Sequence, residues 1–265
     1  MATSIARKIF SPDLHHRENP LREEYLPESD GKPMAETDRH RDQMLASLHA
    51  LQEYYRPNSQ VYVSGNIFVY YLDENGERQS VSPDILVVFG VEKRERRTYK
   101  IDEEGKSPDV VIELTSTSTK AEDLVLKHYI YANLAVREYF LFDPYGETIR
   151  PALRGFRLEG GEYVPLPGDA LRSEALGLEL KVENNRLRFY DPGTGERLRT
   201  PEEAEADRRA AEKIAAQEFK ARREAEAKAT QELKARHQAE ARAAEAEAEA
   251  MRLREELAKL RSKLS

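Results

Sequence analysis

The sequence predicts an α+β (α/β) fold, a mixed β-sheet flanked by helices and followed by a long C-terminal helix. Ile85 to Phe89 and Val110 to Leu114 are aliphatic runs, each preceded by Pro-Asp, as suits the entrance to a buried strand. Residues 120–133 then read as a helix and Glu138 to Phe142 as another strand, a succession that normally sets two strands in parallel. From Pro201 onward the composition turns to Ala, Glu, Lys and Arg with no glycine and no further proline, a strong helical signal. Three segments result: an irregular arm over 1–33, a folded core over 34–200 and a helical extension over 201–265.

The arm contains Pro12, Pro20, Pro27 and Pro33 among many charges and little apolar periodicity. Met44, Leu45, Leu48, Leu51 and Tyr55 recur at helical spacing, so an amphipathic helix is expected from Met34 to Tyr55. Glu36 and His40 are four apart near its start and share a face. Residues 61–72 read as two β segments parted near Ser64-Gly65-Asn66, with a turn at Asp73 to Gly76. Between the two aliphatic runs lies a charged insert with Lys93, Arg94, Arg96, Arg97 and Lys100, a candidate for contacts to phosphates or else a solvated loop. Beyond Tyr145, Gly160-Gly161 and Asn184-Asn185 mark hairpin turns. Asp143, before Pro144, reads as a turn carboxylate.

Composition bounds the function. With no cysteine the chain has neither disulfides nor thiolate metal ligands, which fits a reducing, cytoplasmic setting. No apolar stretch approaches the length of a membrane span. The net charge is −7, and residues 201–265 hold 15 basic and 15 acidic side chains, so the excess lies entirely in residues 1–200. Binding of nucleic acid through bulk positive charge is therefore excluded, and any such contact is local or metal-assisted.

Glu113 stands inside an aliphatic strand, where an unpaired charge is costly to bury. Asp84, at the start of the preceding aliphatic strand, offers a second carboxylate, and the two suit Mg²⁺ (or Mn²⁺), which takes hard oxygen ligands. Asp109 lies on the same strand face as Glu113 but roughly 13 Å away, too far to share one ion. Asp123, Lys127 and Tyr131 repeat every four residues, so one helix face carries them, after N-cap chemistry supplied by Ser116 to Thr119.

The order PD (83–84), PD-x-x-x-E-x-x-S (108–116), D-x-x-x-K-x-x-x-Y (123–131) and EYFLFDP (138–144) resembles the Uma family of putative restriction endonucleases, within the PD-(D/E)XK nuclease superfamily. The resemblance covers about residues 34–200 and implies a restriction-endonuclease-like fold and a metal-dependent endonuclease acting on DNA. It implies Asp84, Glu113 and Lys127 as catalytic residues, with Asp84, Glu113 and the Leu114 carbonyl holding the metal. Thr115 occupies the position of the superfamily lysine, and the resemblance implies that Lys127 on the following helix replaces it. Glu36, Ser116 and Tyr131 form a further tier. Glu36 matches an acidic residue that some relatives carry on the first helix, while a helix cap and a packing tyrosine explain Ser116 and Tyr131 equally well. The competing reading is an inactive nuclease-fold module for binding or assembly.

Within the extension, Ala239, Ala243, Ala246, Ala250, Leu253, Leu257, Leu260 and Leu264 alternate four and three apart, a coiled-coil seam that fails upstream at Arg236 and Glu232. Self-association (a dimer) or a partner helix through 239–264 is expected, against a solvated single helix. The leucines would contribute most, since alanine buries little area.

Overall fold

The computed structural model describes residues 26–27, 37–116 and 122–264. Contacts divide the chain into two units, residues 1–198 and 199–265. In the first, helix α1 (Asp38–Tyr54) is capped by Thr37, whose side chain accepts from the His40 N–H. Strands β1 (Val61–Ser64), β2 (Val69–Leu72), β3 (Arg78–Val81), β4 (Ile85–Phe89) and β5 (Tyr99–Lys100) follow, then a single turn, α2 (Ile101–Glu104). Strand β6 (Val110–Leu114) leads to a π-helical segment, Glu122–Lys127, continued by α3 (His128–Asn133). Strand β7 (Glu138–Phe142) is followed by β8 (Leu153–Glu159), β9 (Glu162–Pro165), β10 (Leu171–Ser173), β11 (Leu178–Glu183) and β12 (Arg186–Tyr190).

The main sheet has the order β1-β4-β6-β7-β8-β9. Strands β6 and β7 run in parallel, as the strand-helix-strand pattern predicts, and the other pairs are antiparallel. Two apolar layers cover it. One face packs α1 and the small β10-β11-β12 sheet over Ile85, Ile112, Leu114 and Phe140; the other gathers Leu86, Val111, Tyr99, Tyr131 and Tyr139. Being covered on both faces, β4, β6 and β7 tolerate unbroken apolar runs, whereas half-exposed β8 and β12 alternate. The β segments at 61–72 do not pair with each other: β1 joins the main sheet at its edge, and β2 sits in a separate β3-β2-β5 sheet.

One buried carboxylate is structural. Glu138 accepts from Arg157 (Nη2 at 3.0 Å), from the Glu174 N–H at 2.9 Å, and from the Ser173 hydroxyl, tying β7 to the β10 segment. Removing it strands these donors, so Glu138→Ala is expected to cost about 3 kcal/mol, read as a lowered denaturant midpoint at unchanged slope.

The second unit is one helix, α4 (Pro201–Leu264), about 96 Å long at 1.5 Å per residue. Thr200 and Glu203 close a reciprocal capping box at its start. Its first two-thirds is laced by ion pairs one turn apart, Arg208 to Glu212, Arg222 to Glu226 and Arg236 to Glu240 among them.

Candidate active site at the β4 and β6 strand ends

The antiparallel register sets Ile85 opposite Ile112, and one step further along it sets Asp84 opposite Glu113. Both side chains leave the same sheet face, the one covered by α3. The glycine before Asn66 makes the approach of β1 to Asp84 feasible: a Cβ on Gly65 would lie 2.0 Å from the Asp84 carbonyl oxygen. Asn66 N–H donates to Pro83 O at 2.9 Å and fixes this crossing.

Glu113 is 1% exposed and both of its oxygens are engaged. Lys127 Nζ donates to Oε2 at 2.9 Å and Tyr131 hydroxyl to Oε1 at 2.6 Å. Burial first, then the Glu113 charge, pushes the Tyr131 hydroxyl well above the ordinary tyrosine range, so it remains a donor. Asp84 Oδ2 accepts from the Leu114 N–H at 2.7 Å and lies 3.3 Å from His40 Nε2. Burial raises the Asp84 carboxyl, but His40, Lys127 and the Leu114 N–H outweigh it and hold the group below the usual carboxylate range. Asp84 Oδ1 receives no hydrogen bond from the described residues.

Thr115, two residues after Glu113, projects to the same face, and its buried hydroxyl finds no hydrogen-bond partner among the described residues. The position that carries lysine in the superfamily pattern thus holds a buried hydroxyl, and the ammonium that reaches Glu113 comes from the helix. Spacing of four placed Lys127 and Tyr131 on one carboxylate. The π-helical turn that delivers Lys127 has no signature in the residue pattern; such turns occur frequently at functional sites.

Other carboxylates stand apart. Asp109 accepts from the Phe89 N–H at 2.8 Å and pairs with Lys106 at 3.0 Å. Asp143 takes the N–H groups of Tyr145, Gly146, Thr148 and Ile149, the turn role expected of it. Within the charged insert, Arg96 is held by Glu104 at 2.7 Å and stacks over Tyr62 at 4.3 Å, and its side chain is 1% exposed, so it is a scaffold group rather than a phosphate ligand. Arg94 shares Glu104, and Lys93 and Arg94 line an open cavity of about 650 Å³ with Arg56, Tyr62 and Ser64.

Residues 13–183 match the Uma2 family, described as "Putative restriction endonuclease". The chain belongs to the Uma2 family. A crystal structure of a putative nuclease belonging to DUF820 from Anabaena variabilis ATCC 29413 is similar at 15% identity, covering 55% of this chain and 76% of that one, with a TM-score of 0.40. No curated protein matches the chain.

In this Uma2 chain the structure brings Asp84, Glu113, Lys127, Tyr131 and the backbone of Leu114 together. Ser116 is half-buried at the end of β6, and Glu36 lies outside the described residues, as do Thr117 to Thr119. The residue that sequence reasoning undervalued is His40: it, from the first turn of α1, reaches Asp84. Its signal was the helix face shared with Glu36. Among the described residues no group of three or more His, Cys, Asp or Glu side chains is arranged to hold a metal ion, and no helix is long and apolar enough to cross a membrane.

Proposed function

We propose that this Uma2 chain is a metal-dependent endonuclease that hydrolyses phosphodiester bonds, with DNA as substrate, and that Asp84, Glu113 and Lys127 carry the chemistry. The observation that supports this most is the facing pair of carboxylates, Asp84 and Glu113, on the first residues across the β4–β6 ladder, with Lys127 on one of them. The donor set fits a small hard cation: carboxylate oxygens, with no thiolate, and one Asp84 oxygen unengaged by described residues. Because N–H and C=O of one residue leave a strand on the same side, the Leu114 carbonyl faces the Asp84 side as its N–H does, a third oxygen donor. Lys127 balances only one of the two buried negative charges. A divalent ion bound there would polarise the phosphoryl oxygen and lower the pKa of an attacking water.

The chain's own residues have defined tasks in this reading. Tyr131 and the Leu114 N–H each occupy one carboxylate oxygen and so orient the other. Lys127 offers positive charge where the phosphate becomes more negative. His40 holds Asp84 against α1. Lys93 and Arg94 supply local positive charge for a backbone phosphate, which a chain of net charge −7 requires.

The inactive-module reading is favoured by one observation: Glu113 is already neutralised by Lys127 and wrapped by Tyr131. The two readings separate in a cleavage assay of supercoiled and linear DNA with Mg²⁺ or Mn²⁺ beside an EDTA control. Metal-dependent nicking or linearisation is expected; inactivity with both metals on both substrates would transfer the weight to the binding module.

A further inference from the structure

The C-terminal third of α4 differs from the rest of the helix in how it uses its charges. Upstream, arginines are bridged to glutamates of their own helix; beyond Glu240, Arg242, Glu247, Glu249 and Arg254 make no ion pair with described residues. This change coincides with the start of the apolar seam at Ala239. Along that seam Leu253 and Leu257 are 54% and 57% exposed to solvent.

Counting heptads with Ala243 and Ala250 at a and Ala246 and Leu253 at d puts Arg242, Glu249 and Glu256 at g and Glu247, Arg254 and Arg261 at e. In a parallel, in-register pair of helices each g residue meets the e residue five positions on in the other chain. All three such encounters join opposite charges: Arg242 with Glu247, Glu249 with Arg254, Glu256 with Arg261. Antiparallel pairing instead opposes g to g and e to e. Every stagger centred between Glu249 and Glu256 then sets glutamates at g against one another.

We propose that residues 239–264 dock a second copy of this chain as a parallel, in-register two-stranded coiled coil, its orientation specified by these g-to-e pairs. The leucine end supplies the apolar contact, and the charges favour the parallel arrangement, where all three encounters are attractive, over the reversed one, where attractive e-to-e pairs such as Glu247 with Arg254 are offset by repelling glutamates at g. The proposal is independent of the chemistry at Asp84 and Glu113.

The full-length chain has no cysteine, so single-cysteine variants report directly. Ala239→Cys at d and Ala250→Cys at a are each expected to oxidise to a covalent dimer, because equivalent core positions face each other only in a parallel, in-register pair. Sedimentation should show that the unmodified chain dimerises. Glu249→Arg and Arg254→Glu should each weaken the dimer about tenfold, and mixing the two variants should restore it as a heterodimer. A chain monomeric at every concentration would overturn the proposal. So would a dimer in which only one position, or neither, cross-links, or whose charge variants do not rescue one another.

Discussion

Glu113→Gln is expected to lower metal-dependent cleavage by about 10³-fold while leaving the protein folded. The amide is nearly isosteric and keeps an oxygen for the Tyr131 hydroxyl, so the buried bond at 2.6 Å survives. What is lost is the negative charge. Without it the site retains one carboxylate against Lys127, and a divalent cation no longer meets net negative surroundings. The prediction is checked by single-turnover cleavage at saturating metal, with circular dichroism to confirm the fold. The ion pair to Lys127 also disappears, and a stability loss of about 2 kcal/mol accompanies it. A variant as active as wild type would remove Glu113 from the mechanism.

Gly65→Ala is expected to disturb fold and site together, costing about 3 kcal/mol. The added methyl would lie 2.0 Å from the Asp84 carbonyl oxygen, 3.1 Å from its carbonyl carbon and 3.2 Å from Leu48 Cδ1. Two of these are backbone atoms, which cannot rotate away. The crossing cannot simply open either, because Asn66 N–H is bonded to Pro83 O. The strain falls on the residue that carries the Asp84 carboxylate, so weaker metal binding should accompany the lowered denaturant midpoint. A variant with wild-type stability would mean that β1 and β4 are not pressed together there.

Much of this was legible in the residues because it depends on local pattern. The aliphatic runs of β4, β6 and β7 have the lengths of strands, and the helix between β6 and β7 commits those two to a parallel pair. A charge in mid-strand, Glu113, asked for partners, and residues four apart supplied them. What was not legible is non-local. Strand β2 pairs with Tyr99, thirty residues away, so nothing near 69–72 reveals that it leaves the main sheet. Glu138 resembles any strand-initiating glutamate until Arg157 and Ser173 come back to it from later strands. The charged insert resembles a phosphate-binding loop in composition, yet the Glu104 carboxylate and the Tyr62 ring consume Arg96. His40 was hidden for the same reason: its partner Asp84 is set by the packing of α1, which a helical face alone does not specify.

The most direct test of the account is a titration of Mn²⁺ into wild type and Glu113→Gln, followed by calorimetry and by the loss of the free-ion paramagnetic resonance signal. The account predicts saturable binding to wild type that the single substitution removes. Equal binding by both proteins, or none by wild type, would contradict the assignment of Asp84 and Glu113 as a metal-holding pair.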